Sequence, residues 1–264
     1  MSLIVQDLLR HYGGVKALDG VSFEVPPGQC VALIGPNGAG KSTCFACLAG
    51  QQMPGSGRVV WRGQVVTGLQ PAQRQAQGMA RTFQVAQTFE ALTVQQNLQL
   101  VLSRERLSWW DRLAGRHVAQ ALQALAQVGL RDQAQAVVAD LPYGAKKRLE
   151  LAMALAGLPD AGDRILLLDE PAAGLAPAER AAMMALVRQV ASSGVTVLYT
   201  EHNMDAVFGV ADRVLVLMQG RLVADGTPEA VAQDPQVRER YLGLDFDMSL
   251  GMHSDMKGQL DARG

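Results

Sequence analysis

The run Gly35-Pro36-Asn37-Gly38-Ala39-Gly40-Lys41-Ser42-Thr43 constrains this chain more than any other stretch. It matches the pattern G-x-x-x-x-G-K-[ST] without a mismatch. Val31-Ala32-Leu33-Ile34 before it is a short apolar run, which predicts a buried parallel strand. Lys41 to Ala49 after it predicts a helix stopped by Gly50. Glycines let the backbone curl so that successive N–H groups point at one spot. The positive end of the helix dipole points there too, and the combination suits a polyphosphate. In that arrangement Lys41 reaches the β- and γ-phosphates, the Ser42 hydroxyl is placed on Mg²⁺, and Thr43 donates to the α-phosphate. The pattern predicts a nucleotide. It does not say which nucleotide, or what hydrolysis drives.

The rest of the chain limits the setting. Its 264 residues suit one large domain, or one domain with a smaller lobe. Charged residues make up 19% and the net charge is −1, so the balance argues against general nucleic-acid binding. No apolar run approaches the roughly 18 residues needed to cross a bilayer. The start, Met1 to Asp7, lacks the charged and apolar regions of an export signal. With three cysteines and no such signal, a disulfide framework is not expected and a reducing cytoplasm fits. Cys44 and Cys47 share a helical face with Leu48, which favours buried thiols over a metal or redox pair.

Along the chain an α/β pattern is interrupted once. Val21, Phe23 and Val25 alternate before the turn Pro26-Pro27-Gly28, and Val59 and Trp61 alternate before Arg62-Gly63. From about Thr93 to Ala156 the spacing turns helical, with Val118, Leu122 and Leu125 on one face and Leu149, Ala152, Met153 and Ala156 on another. The α/β pattern then returns. Strands are predicted at Ile165–Leu168, Val195–Tyr199, Val214–Met218 and Leu222–Ala224, with a helix opening near Pro177 that carries Met183, Leu186, Val187 and Val190. The expected fold is α/β. It has a phosphate-loop core with a mixed sheet, an N-terminal antiparallel β region and an inserted α-helical lobe at about 90–160. Residues 1–244 read as one unit, and 245–264 as a polar, Met-rich tail.

Phosphoryl transfer also needs a metal-holding carboxylate and a group that positions water. Ile165-Leu166-Leu167-Leu168-Asp169-Glu170 supplies both. The apolar run buries the strand, and Asp169 emerges at its C-terminal end, where open α/β sheets bind ligands. Asp169 is expected to hold Mg²⁺, and Glu170 to act as general base or water-orienting group. Gln84 and His202 each follow predicted strands in a way that suits sensing of the γ-phosphate, a weak signal for either alone.

These elements, with Leu141-Pro142-Tyr143-Gly144-Ala145 between them, fall in the order of an ATP-binding cassette transporter ATPase. The last segment resembles that family's LSGGQ signature. The resemblance covers nearly the whole chain, to about Gly243. Gly78-Met79-Ala80-Arg81-Thr82-Phe83-Gln84 narrows it, because that run is similar to one in branched-chain amino acid importer ATPases. So are Asp169 to Leu175, Glu201 to Asp205 and Gly226 to Glu229 leading to Tyr241-Leu242-Gly243. The resemblance implies that Tyr12 stacks on adenine, that Gln84 lines the γ-phosphate and Mg²⁺ at the junction with the membrane subunits, and that His202 contacts the γ-phosphate. It implies that Gly144 and its neighbours face the ATP held by a second ATPase subunit. It further implies two transmembrane permease subunits, a periplasmic solute-binding protein, and a peripheral place on the cytoplasmic face of a bacterial inner membrane.

Two departures stand out. Pro142 and Ala145 replace the signature Ser and Gln, and Ala176 stands where an Asp often follows the D-loop Leu. They point to a different chain as the second ATPase, so that the ATP bound here meets an intact signature. Alternative readings are an importer for urea or short amides, another cassette transporter such as a lipid or polysaccharide exporter, a soluble cassette protein of DNA repair or translation, and a non-catalytic regulatory subunit. Glu170 and His202 argue against the last. Trp109 and Trp110 read either as a membrane-edge contact or as packing within the helical lobe.

Overall fold

The computed structural model describes residues 2–82, 87–103 and 115–242. The chain opens with β1 (Leu3–Tyr12), β2 (Val15–Val25) and β3 (Cys30–Ile34), which runs into the phosphate loop and α1 (Lys41–Leu48). Then come β4 (Ser56–Trp61), β5 (Gln64–Val65), α2 (Pro71–Ala76) and the short β6 (Met79–Arg81). Three helices follow: α3 (Val94–Leu102), α4 (Val118–Gln127) and α5 (Tyr143–Ala156). The α/β alternation resumes with β7 (Ile165–Asp169), α6 (Pro177–Ser192), β8 (Thr196–Thr200), α7 (Met204–Phe208), β9 (Arg213–Met218), β10 (Arg221–Gly226) and α8 (Pro228–Gln233). Gln84, Trp109, Trp110 and the 245–264 tail lie outside the described residues.

The strands form two sheets. One is antiparallel, in the order β2-β1-β4-β5. The other has the order β10-β9-β3-β8-β7-β6, parallel except for β10 at one edge. Strands of a parallel sheet are covered on both faces, and so they read as unbroken apolar runs. Side chains alternate across such a strand, and here the alternation divides two cores. Ala32, Leu166, Leu168, Val197 and Val214 face a core shared with α3 to α6. Val31, Leu33, Leu167, Leu198 and Leu215 face a second core shared with the antiparallel sheet. Phe45, Cys47 and Leu48 of α1 also belong to the second core, so the helix behind the phosphate loop is clamped between the two sheets. Each Leu or Phe buried there contributes about 1.5–3 kcal/mol.

Cys30, Cys44 and Cys47 are all free and buried. Burial pushes the Cys44 and Cys47 thiols up and the Cys30 thiol to about 12. They pack as small apolar groups.

The C-terminal end of α1 is fixed by an unusual residue. Arg74, 1% exposed, reaches from α2 and donates to the carbonyls of Cys47 and Leu48 at the end of α1, and to those of Thr67 and Leu69. A helix C-terminus carries partial negative charge on its last carbonyls, which a guanidinium satisfies. Burial lowers the Arg74 pKa to about 10. Several expected element ends shift by a residue. β8 runs to Thr200 rather than Tyr199, because a buried threonine at a strand end looks polar in sequence yet pairs in the sheet. Pro142 is the N-cap of α5, with φ −56° and an extended ψ of 150°.

Candidate active site

The phosphate loop is wedged between two strands, and glycine is what lets it fit. A Cβ at Gly35 (φ +145°) would lie 2.0 Å from Leu217 O, and one at Gly40 (φ +106°) would lie 2.2 Å from Ala17 O. Ala39 N–H donates to Pro36 O and Cys44 N–H to Gly40 O, which closes the turn. Helix geometry leaves the N–H groups of Lys41, Ser42 and Thr43 without an intrahelical acceptor. At α3, α7 and α8 a side chain takes up such donors, Thr93, Asn203 and Thr227 in turn, whereas α4, α5 and α6 have no side-chain cap bond. At α1 the cap is Gly40, with no side-chain hydrogen bond. Asn37, Gly38 and Ser42 are exposed there, while Ala39 and Lys41 are buried. The open end of α1 therefore presents uncapped donors, as an anion requires.

Lys41 folds back over its own loop, with Nζ 2.6 Å from Gly35 O and 3.1 Å from Pro36 O. Burial lowers its pKa, while the nearby carboxylates Glu170 and Asp169 pull it up. The loop is also tied to the C-terminal end of the described chain. Burial raises the Tyr241 hydroxyl, and a hydrogen bond from Gly35 N–H opposes that shift.

The parallel register β7–β8 pairs Asp169 with Thr200 and builds the acidic half of the site. Thr200 Oγ1 donates to Asp169 Oδ1 at 2.8 Å and accepts from Glu170 N–H at 3.0 Å. Glu170 sits at φ +48°, a left-handed conformation that costs a non-glycine residue about 1–3 kcal/mol and clusters at functional sites. Its Oε1 lies 2.6 Å from His202 Nε2. Glu201, beside it, is buried. Its carboxylate accepts from Ala172 N–H at 2.8 Å and from His202 N–H at 3.3 Å, tying the histidine to the segment after Glu170. Burial raises the Glu201 pKa, and those two backbone donors oppose the shift.

Cations surround these acids. Arg81 Nη2 pairs with Asp169 Oδ2 at 2.7 Å, and Arg81 Nη1 contacts Gln51 Oε1. Lys147 of α5 is buried. Burial lowers it, and Glu150 followed by Asp169, Glu201 and Glu170 pulls it up. Thr200, Glu201, Arg81 and Lys147 were not singled out from sequence. Arg81 and Glu201 lay within the runs Gly78 to Gln84 and Glu201 to Asp205, while nothing in the sequence reading pointed to Thr200 or Lys147.

The structure thus brings Lys41, Asp169, Glu170 and His202 together. Tyr12 closes β1 at 42% exposure, with its hydroxyl on Gln52 and the Arg10 guanidinium 4.9 Å from its ring centroid. The signature residues lie elsewhere, at the start of α5. Leu141, Gly144 and Ala145 are buried, whereas Pro142 and Tyr143 are exposed. A Cβ at Gly144 would meet Glu179 Oε1 of α6 at 2.8 Å. Among the described residues no helix is long and apolar enough to cross a membrane.

The donor set suits the ligands it implies. Uncapped N–H groups and Lys41 suit a polyphosphate. The Ser42 hydroxyl and the Asp169 carboxylate are hard oxygen donors suited to Mg²⁺, which takes one or two carboxylates beside phosphate oxygens. The residues present fit both.

Comparison with known proteins agrees. Residues 18–173 match the family profile described as ABC transporter. Residues 221–247 match one described as Branched-chain amino acid ATP-binding cassette transporter. The chain is 37% identical over 253 residues to the high-affinity branched-chain amino acid transport ATP-binding protein LivG of Escherichia coli K12, covering 91% of this chain and 97% of that one. It is 38% identical over 254 residues to BraF of Pseudomonas aeruginosa, which carries the same description, with the same coverage. The crystal structure of the ADP conformation of MJ1267, an ATP-binding cassette of an ABC transporter, superposes with a TM-score of 0.81 at 30% identity, covering 92% of this chain and 99% of that one.

Proposed function

The chain belongs to the ABC transporter family as an ATP-hydrolysing subunit, and from that premise we propose that it energises import of branched-chain amino acids across a bacterial inner membrane. The observation that carries the substrate class is the match of residues 221–247 to a branched-chain profile, in a chain alike over 91% of its length to LivG and BraF. In this reading residues 1–244 form one cassette with a helical lobe at about 90–160.

The roles proposed here combine the geometry with the family resemblance, which alone supplies those of Tyr12, Gln84 and Leu141 to Ala145. Lys41 and the N–H groups from Asn37 to Thr43 bind the triphosphate, and Tyr12 stacks on adenine. Ser42, Asp169 and Gln84 hold Mg²⁺, which when bound supplies positive charge against the phosphate oxygens. Glu170 orients the attacking water and accepts its proton. His202, 2.6 Å from Glu170 Oε1, fixes that carboxylate and contacts the γ-phosphate. Leu141 to Ala145 face the ATP of a second ATPase subunit. Pro142 caps α5 without a side-chain hydrogen bond, so the Tyr143 and Gly144 N–H groups are the donors left for that partner's phosphate. A chain with this signature works beside a different ATPase, two permease subunits and, through them, a periplasmic solute-binding protein. Its place is peripheral, on the cytoplasmic face.

Purified chain with Glu170→Gln tests the catalytic half of this reading. ATP binding is expected to persist while Mg²⁺-dependent turnover falls at least about a hundredfold. Turnover near the wild-type rate would remove Glu170 from its role. Competition in an uptake assay tests the substrate class. Leucine, isoleucine and valine are expected to compete for one uptake activity. Urea or acetamide uptake lost on deletion, with leucine uptake intact, would favour the short-amide importer instead.

A further inference from the structure

We infer that Arg81 is a built-in counter-cation for Asp169 that competes with a metal ion for the carboxylate and so makes metal binding there depend on nucleotide. The inference rests on the reading that Asp169 holds the metal. Three observations lead to it. First, both Asp169 oxygens are engaged: Oδ1 accepts from Thr200, and Oδ2 lies 2.7 Å from Arg81 Nη2. Second, the pair is nearly enclosed, with each side chain 12% exposed. Charges so placed are costly to leave unpaired, so a partner is required whenever no other cation is present. Third, the guanidinium is held from two sides. The β6–β7 register fixes its backbone opposite Leu167, and Gln51 takes Nη1.

Lys41 does not fill this place, because its Nζ is turned onto Gly35 O and Pro36 O. A divalent ion approaching Asp169 alone must compete with a fixed guanidinium for Oδ2. An ion arriving with a triphosphate brings further oxygen ligands and negative charge, and the competition shifts. Arg81 is thus a positioning residue that sets the order and strength of metal binding.

The test uses Mn²⁺ as the probe, read by the electron paramagnetic resonance of free Mn²⁺ over the full-length chain, with and without ATP. The chains compared are wild type, Arg81→Gln, Asp169→Asn and the double variant, with folding checked by circular dichroism. Arg81→Gln is expected to bind Mn²⁺ without nucleotide about tenfold more tightly than wild type, and the double variant to lose that gain. Unchanged or weaker nucleotide-free Mn²⁺ binding in Arg81→Gln overturns the inference while leaving Asp169 as the metal residue. Unchanged Mn²⁺ binding with ATP in Asp169→Asn overturns the metal reading, and the inference with it. Should Arg81→Gln not fold, Arg81→Lys keeps the charge but loses the two-nitrogen fork. It is expected to tighten nucleotide-free Mn²⁺ binding about threefold, and no change there overturns the inference.

Discussion

Replacing Thr200 with valine removes one hydroxyl and no volume, at the point where β8 meets Asp169 and Glu170. Thr200 is 1% exposed and serves two neighbours: it donates to Asp169 Oδ1 at 2.8 Å and accepts from Glu170 N–H at 3.0 Å. A hydrogen bond to an ionised group contributes about 1.5–3 kcal/mol, and an orphaned buried donor costs about 1–3 kcal/mol. Asp169 keeps its Arg81 partner, and the Glu170 N–H is only partly buried, so the two losses do not add in full. A fall of about 2–3 kcal/mol in unfolding free energy is expected for Thr200→Val, read by urea denaturation. The kinetic effect is sharper. The hydroxyl helps hold Glu170 at φ +48°, and without it the residue relaxes and moves Oε1 away from His202. A fall in kcat of about tenfold to a hundredfold is expected, equivalent to about 1.4–2.7 kcal/mol. KM for ATP is expected to stay within about threefold, because Lys41 and the phosphate loop are untouched. Thr200→Ser keeps the hydroxyl and is expected to keep most of the rate. A kcat for Thr200→Val within about twofold of wild type, or a Thr200→Ser variant as impaired as the valine, would refute the reasoning.

Arg74→Met leaves four carbonyls at the end of α1 and in the 67–69 turn without their donor. Removing a buried charge offsets part of that, so a net loss of about 2–4 kcal/mol is expected in urea unfolding, and a loss below about 1 kcal/mol would contradict the capping role. Glu201 has its folded pKa raised by burial, so the folded state binds its proton more tightly than the unfolded state. Its contribution is therefore lost as pH climbs from the unfolded value through the raised one. The stability of Glu201→Gln relative to wild type is expected to improve as pH rises above the ordinary carboxylate range, and a difference independent of pH would exclude an ionising Glu201. Ala145 is 4% exposed, so a glutamine there would have to be overpacked. The signature is therefore best restored by Pro142→Ser alone, which is expected to raise the ATPase rate of the purified chain, measured alone, by about threefold or more. A rate unchanged by that substitution would show that the missing hydroxyl does not weaken this signature.

Much of the site was legible because its parts are contiguous. The phosphate loop, the strand into Asp169-Glu170 and the buried runs of β3, β7 and β9 each carry their signal within a few residues. What escaped depends on register between distant strands. Arg81, Asp169 and Thr200 meet because β6, β7 and β8 are neighbours, and nothing in a single stretch reports that pairing. Local irregularity hid other elements. In β1, Leu3 and Val5 alternate, but a bulge at Asp7, at φ +47° with its N–H on Ser22 Oγ, moves the next inward residue to Leu8. That break of period two conceals a strand that pairs on both sides. On α4 the buried centre is Ala121 and Leu125, with Leu122 only half-buried, because the small alanine lets the neighbouring helices approach. The roles of Tyr12 and of Leu141 to Ala145 came from the family resemblance rather than from patterning.

The most direct test of the account is the initial rate of labelled leucine uptake in the source organism, with this chain deleted and then restored as wild type or as Glu170→Gln. Uptake is expected to fall on deletion, to return with the wild-type chain, and to stay low with Glu170→Gln although that variant is present at the same level. Leucine uptake that survives deletion, or that Glu170→Gln restores in full, would contradict the claim that ATP hydrolysis at this site drives branched-chain amino acid import.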